Sequence, residues 1–300
     1  VTQMLKLGLK ISYKKEKGTF MLIDTHCHLD KPRYKYIIQN ILQNAQNNRV
    51  NGILIASTQN RTLDEAKLLS ENHRGIFYSV GYHPKYAEIF DKSVLEEHIT
   101  HERCIAVGEF GLDYSSLSRK YEKKQPVLQK QQDVLVEHLE FAVQHQKPVL
   151  IHLRDKRSRK YAHDDFLEIV KPYLGRLVGG VIHAMNFDKE EFIALSEYNF
   201  YFGIGGQISY DIKALKDFVK KAPLSHLVLE TDAPWLTPTS RKEENEKTSN
   251  EPAFLVDVLK ELAKTLKMDS SALEEILLQN TLKLFPAFSE IVDNQEGYGV

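Results

Sequence analysis

The apolar positions of this chain fall into eight short runs, each followed by a segment of different period. The runs are MLIDT (21–25), GILIAS (52–57), IFYSVG (76–81), CIAVGEFG (104–111), PVLIHL (148–153), LVGGVIH (177–183), FYFGIGG (200–206) and HLVLETD (226–232). They are nearly continuous rather than alternating, as expected of parallel strands covered on both faces. Between them, apolar residues recur at spacings of three and four, which predicts helices. These span Ile37 to Ala45, Thr62 to Asn72, Val127 to Gln146, Asp164 to Tyr173, Lys189 to Tyr198 and Asp211 to Lys221. Between the third and fourth runs the periodicity is weak, and only Val94 to Ile99 supplies it. After the eighth run, Pro252 to Leu266 and Ser271 to Leu284 predict two more helices, with Pro252 suited to a first turn.

Alternating strand and helix units, eight in all, match an α/β fold of the (β/α)8, or TIM barrel, type, which typically takes about 250 residues. A doubly wound open sheet would require a glycine-rich fingerprint after its first strand. Here the first strand ends in histidines instead. One domain is expected over residues 21–288, with 289–300 as a tail and no linker-like segment between. Residues 1–20 stand apart from this pattern. MLKLGLK is too short for a secretory apolar core and no small-residue cleavage site follows it. The stretch KKEKGTF, whose codons can be purine-rich like a ribosome-binding site, leads straight into Met21. Residues 1–20 are therefore expected to be a non-native or disordered extension, with Met21 as the natural start.

Composition narrows the class. Apolar residues make up 42% and charged residues 27%, ordinary for a globular protein. No apolar run approaches the roughly 20 residues needed to span a bilayer, so no membrane association is expected. Cys27 and Cys104 are the only cysteines, which suits a reducing, cytoplasmic setting rather than a disulfide framework. A net charge of −1 excludes a generic polyanion binder, so any nucleic-acid contact must come from local clustering. Such clusters exist in RDKRSRK (154–160), RKYEKK (119–124) and the pair Arg241–Lys242, each following a strand and so expected on the face where the strands end, as a local electropositive rim. No obligate protein partner is implied.

The candidate chemistry begins at His26 and His28. Residues two apart in a strand share a face, so both imidazoles can serve one metal ion, or form a hydrogen-bonded pair at the rim of a core. In a TIM barrel the active site lies at the C-terminal ends of the strands. Collected there are His26 and His28 (strand 1), His83 (strand 3), Glu109 (strand 4), His152 (strand 5), His183 (strand 6) and Asp232 (strand 8). Imidazoles with carboxylates suit zinc, manganese or another first-row ion better than magnesium, which prefers oxygen ligands. With His83 set aside, four imidazoles and two carboxylates exceed one tetrahedral centre and suit two divalent ions bridged by a carboxylate.

At the level of motifs the chain resembles the TatD-related deoxyribonucleases, metal-dependent hydrolases of the amidohydrolase-like barrel superfamily. The resemblance rests on DTHCHLD, GYHP (81–84), GEFGLDY (108–114), IHLRD (151–155), GGVIH (179–183), LETDAPWL (229–236), NEPAF (250–254) and NTLKLF (280–285). It implies that His26, His28 and Asp232 hold one ion, that His152 and His183 hold the second, and that Glu109 bridges them. Related barrels bridge with a carboxylated lysine, and Glu109 offers an equivalent carboxylate unmodified. Two departures stand out. The family's His-Cys-Phe run after strand 6 is here His183-Ala184-Met185-Asn186, and its arginine before NEP is Ser249. Asn186 adopts a left-handed conformation more readily than most residues, so the turn is expected to tolerate the change at some cost.

The implied reaction is hydrolysis of DNA phosphodiester bonds, as an exonuclease, by a hydroxide held between the ions, with Asp232 accepting its proton. His83 and Arg154 are the candidates for binding the phosphate, Arg154 because a guanidinium matches two phosphate oxygens at once. Single-stranded or fragmented DNA is the expected substrate. Two alternatives remain open: hydrolysis of a D-aminoacyl-tRNA or another ester on the same barrel, and a weakly active metal-binding interaction protein.

Overall fold

The computed structural model describes residues 21–115, 125–155, 161–185, 190–244 and 248–292. Residues 1–20, 119–124, Asn186, and Lys156, Arg157, Arg159 and Lys160 of the basic loop lie outside them, as do 293–300 of the expected tail.

Eight strands form one parallel sheet in sequential order. They are β1 (Leu22–Cys27), β2 (Val50–Ile55), β3 (Ile76–Val80), β4 (Cys104–Asp113), β5 (Val149–Arg154), β6 (Gly180–Ile182), β7 (Phe200–Ile204) and β8 (Leu227–Leu229). This is the TIM barrel that the runs predict. Each strand gives the barrel interior at least one apolar residue, among them Ile23, Leu54, Phe77, Leu150, Val181, Tyr201 and Val228. Neighbouring positions, such as Leu22, Ile53, Ile55, Tyr78 and Phe202, pack outward against the helices. Burial on both faces explains why the strands read as continuous apolar runs.

No ladder joins β1 to β8. Instead the seam is closed above the strands by Asp232 N–H to the His26 carbonyl (2.8 Å) and His28 N–H to the Ala233 carbonyl (2.9 Å). Thr25 adds its hydroxyl to the Leu229 carbonyl at 2.9 Å. Asp24 accepts from the Thr231 backbone and hydroxyl and from the His26 backbone. Burial pushes the Asp24 carboxyl up to about 8, against these bonds. The first and last sequence motifs therefore meet at this seam.

Outside the barrel lie α1 (Ile38–Asn47), α2 (Asn60–Asn72), α3 (Lys92–Ile99), α4 (Gln125–His145), α5 (Tyr161–Val170), α6 (Glu190–Ile193), α7 (Lys213–Lys221), α8 (Thr239–Glu244), α9 (Leu255–Leu266), α10 (Ser270–Leu284) and α11 (Ser289–Val292). The weak pattern at 94–99 does form a helix. Its first turn is held by Asp91, which accepts from the Ser93 N–H at 3.0 Å. Helix α5 ends before Tyr173 because Pro172, lacking an N–H, passes the chain into a 3-10 turn. Helix α8 carries no apolar stripe, and its pattern predicts nothing. Packing continues beyond Phe288: Ile291 of α11 is buried with Phe285 and Phe288 against the bottom of the barrel. Among the described residues, no helix is long and apolar enough to cross a membrane.

Candidate active site

At the C-terminal mouth of the strands the structure gathers His26, His28, Glu109, His152, His183 and Asp232. Glu109 lies at their centre and is 2% exposed. Its Oε2 faces His26 Nε2 (3.5 Å) and His28 Nε2 (3.6 Å). Its Oε1 faces His152 Nδ1 (2.7 Å) and His183 Nε2 (3.0 Å). Asp232 Oδ1 completes the first side, 3.1 Å from His28 Nε2 and 3.9 Å from His26 Nε2. His183 also stacks on His26, with centroids 4.0 Å apart, and so adjoins both sides.

Glu109 reaches this position from within a strand, and not from its end as the sequence suggests. Strand β4 runs on to Asp113, and its pairing with β5 shifts register between Val107 and Phe110. Such an irregularity re-aims a side chain. Glycine permits it: Gly111 has φ +148°, and a Cβ there would lie 2.0 Å from the His152 carbonyl oxygen. Asp232 has φ +55°, a strained conformation for a residue with a side chain, held by the seam bonds around it.

Hydrogen bonds settle the ring roles. His28 Nδ1–H donates to the Ala56 carbonyl at 2.7 Å, leaving the Nε2 lone pair for the site. His83 is the reverse case. Its Nδ1 accepts the Lys85 N–H at 3.1 Å, so a neutral ring carries its proton on Nε2, 3.9 Å from Glu109. His83 thus presents a donor to the site rather than a ligand lone pair. Its burial pulls it down to about 3, reinforced by His152.

The donor set fits a cation. Neither ring nitrogen of buried His26 has a hydrogen-bond partner among the described residues, a costly arrangement that an ion would relieve. Four groupings bring ligand atoms within 4.8 Å of one another, two of them being His26–His28–Glu109 and Glu109–His152–His183. Burial opposes ionisation of Glu109, yet the His183 and His26 rings outweigh it and hold this carboxyl well below the usual range. Burial likewise disfavours imidazolium at His183, but Glu109 and Glu230 overcome it and raise that ring well above its ordinary value. The cluster draws in positive charge from both directions.

Two orienting carboxylates escape a reading of strand ends. Asp113 Oδ2 lies 3.5 Å from His152 Nε2, and Glu230 Oε1 lies 3.7 Å from His183 Nδ1. Glu230 also accepts the Ala184 N–H at 2.6 Å. Both sit inside quoted motifs, GEFGLDY and LETD, but a search that takes one ionisable residue per strand passes over them. At the departure after His183, Ala184 is in the left-handed region (φ +51°), and Asn186 lies outside the described residues. Met185 is fully buried, and its carbonyl accepts from Gln207 at 2.9 Å.

Above the cluster opens a cavity of about 680 Å³. Arg154 lines it, exposed at the end of β5, as do His83, Lys31, Lys85 and Lys242. Arg241 does not belong to this rim, contrary to expectation. It pairs with Asp257 at 2.8 Å and lies over the Phe254 ring, turned toward α9. Lys31 and Lys85, which the sequence clusters miss, stand on the rim because the turns after β1 and β3 carry them there.

A parallel barrel with this imidazole–carboxylate cluster at its mouth defines the class, a TIM-barrel hydrolase. Residues 23–286 match the model of the TatD related DNase family, and the chain belongs to that family. It is 29% identical over 269 residues to the uncharacterized metal-dependent hydrolase YabD of Bacillus subtilis, covering 88% of this chain and 99% of that one. It is 28% identical to the 3'-5' ssDNA/RNA exonuclease TatD of a Pantoea species, over 81% of this chain and 90% of that protein. Among solved structures, the TatD homologue YJJV of Escherichia coli superposes with a TM-score of 0.76 at 28% identity, covering 88% of this chain and 98% of that one.

Proposed function

We propose that this TatD-family hydrolase is a two-metal phosphodiesterase that degrades single-stranded DNA from an end. The observation that carries the reading is Glu109, whose two oxygens face separate sets of imidazoles beneath a cavity rimmed by cations. His26, His28 and Asp232 would hold one divalent ion, His152 and His183 the other, and Glu109 both, with zinc or manganese better suited than magnesium. Ions so held would screen a phosphodiester's charge and lower the pKa of a bound water. Asp232 accepts the proton of the attacking water. His83, with its Nε2–H turned inward, donates to a phosphate oxygen, and the Arg154 guanidinium binds the phosphate from the rim. The Pantoea relative's description as an ssDNA/RNA exonuclease supports a nucleic-acid substrate. The buried, unpaired thiols of Cys27 and Cys104 agree with a reducing cytoplasm.

The test is hydrolysis of end-labelled single-stranded DNA and of D-aminoacyl-tRNA by protein with measured metal content, beside Glu109→Gln. The expected result is stepwise shortening of DNA that falls at least 100-fold in the variant. Deacylation without DNA cleavage would replace the reading with an ester hydrolase. Metal uptake with neither activity would leave a binding protein.

A further inference from the structure

The mouth of the cavity carries a repeated feature that the metal cluster does not explain. Three lysines each lie over an aromatic ring, and all six residues line the cavity. Lys31 Nζ is 4.8 Å from the Trp235 ring centroid, Lys85 Nζ is 5.6 Å from Tyr86, and Lys242 Nζ is 4.4 Å from Tyr210. In a chain of net charge −1, this concentrates cations and π-faces at one opening. Trp235 is the most exposed of the three rings, with 49% of its surface accessible. A large aromatic left in water forgoes stabilisation that burial would provide. Nor is its position loose. Trp235 N–H donates to the Asp232 carbonyl at 2.8 Å, and its own carbonyl accepts from Asn250 Nδ2 at 2.6 Å. Its ring meets that of His28 edge-on, centroids 4.9 Å apart. The indole is therefore held one ring away from the metal cluster, on the turn that carries Asp232.

We propose that Trp235 is the stacking platform for an unpaired nucleobase next to the scissile phosphate, with Lys31 pairing to that nucleotide's phosphate. Tyr86 with Lys85, and Tyr210 with Lys242, offer the same pairing to neighbouring nucleotides. A cationic groove with interleaved aromatics is how single strands are bound without reading sequence, because every base has a π-face and every nucleotide a phosphate. Within a duplex those faces are already stacked on neighbouring base pairs, and freeing one costs unstacking, so the platform favours single-stranded over double-stranded substrate. A ring already held in place loses little freedom on binding. This inference rests on the nucleic-acid reading above and adds to it the element that recognises the base.

Trp235 is the only tryptophan in the chain, so intrinsic fluorescence reports on it alone. The experiment titrates the full-length protein with phosphorothioate oligothymidylate, which resists cleavage, and with an abasic oligomer of equal length and charge. The expected result is quenching of the Trp235 emission by oligothymidylate and none by the abasic strand. Trp235→Ala, followed by fluorescence anisotropy of a labelled strand, should weaken oligothymidylate binding by on the order of 10- to 100-fold, and Trp235→Phe should restore most of it. An oligouridylate should quench as well, since stacking does not depend on the sugar. Equal affinity for thymidylate and abasic strands, with unchanged emission, would overturn the platform while leaving a nucleic-acid substrate intact. Failure of every strand to bind, the abasic one included, would overturn both readings.

Discussion

Replacing Asp113 with alanine should weaken one of the two proposed ions and spare the other. The carboxylate is fixed: its Oδ1 accepts both the Ser115 N–H (2.9 Å) and the Ser115 hydroxyl (2.6 Å), which turns Oδ2 toward His152 Nε2 at 3.5 Å. Burial opposes its charge, but the His152 contact prevails and holds Asp113 well below the usual carboxylate range. An anion at Nε2 keeps the proton there and frees the Nδ1 lone pair toward Glu109 and His183. Without it, a neutral ring can move its proton to Nδ1 and donate to Glu109 Oε1, only 2.7 Å away, which closes that ligand position. Loss of such an orienting partner typically costs 10–100-fold in metal affinity, about 1.4–2.7 kcal/mol. No direct contact joins Asp113 to His26, His28 or Asp232, so the ion on the Oε2 side of Glu109 should change little. Competitive titration against a chelator, with metal content by elemental analysis, resolves the two equivalents. Equal weakening of both, or of neither, would refute the orienting role. A third equivalent bound by the wild type and lost in Asp113→Ala would instead make Asp113 a ligand with His83 and His152, a grouping the geometry also contains. Under that arrangement His152 would bind ions through both nitrogens and shed both protons, which is why orientation is the better reading.

Gly111→Ala should destabilise the fold by roughly 3 kcal/mol or more, because a Cβ at φ +148° would strike the His152 carbonyl oxygen; a urea melt shifted by less than about 1 kcal/mol would refute this. Burial pushes His138 down to about 4 from 6.5, while its Nε2 accepts the Tyr82 N–H at 3.1 Å. Since the folded value lies below the unfolded one, stability is complete above pH 6.5 and falls as pH drops toward 4, by up to roughly 3 kcal/mol. Urea melts across that window should show the slope in wild type and lose it in His138→Gln; parallel slopes would remove His138 as its source.

How far the molecule is legible in its sequence depends on which interactions place each part. All eight strands are legible because both faces of each are buried, so a continuous apolar run survives whatever the loops do. Their ends are less so. Runs at 177–183 and 226–232 yield ladders of only three residues, Gly180–Ile182 and Leu227–Leu229. His183 and Asp232 lie beyond them, in backbone held by long-range bonds that no local period encodes. The helix expected at 189–198 becomes a single α turn, Glu190–Ile193, and then a 3-10 segment closed by Asn199 at φ +62°. Apolar spacing of three and four does not separate these two helical forms.

The site divides along the same line. Six ligand candidates were legible because metal chemistry needs particular residue types, and a barrel carries strand ends to a common face. What converts them into a centre is not a property of any one strand. Glu109 points inward through a register shift that depends on β4 pairing with β5, and on glycines whose only visible trait is the lack of a side chain. His26, His28 and Asp232 converge because the barrel closes by backbone bonds across more than 200 residues of sequence rather than by a ladder. The basic rim shows the limit most clearly. Charge density along the chain selects Arg241, which the fold spends on Asp257, and passes over Lys31 and Lys85, isolated in sequence but each set over an aromatic ring at the opening. A run of charge measures only proximity along the chain, whereas a binding surface is made by proximity in space. The pairing of each lysine with a ring is thus a property that the folded barrel creates and the motifs do not contain.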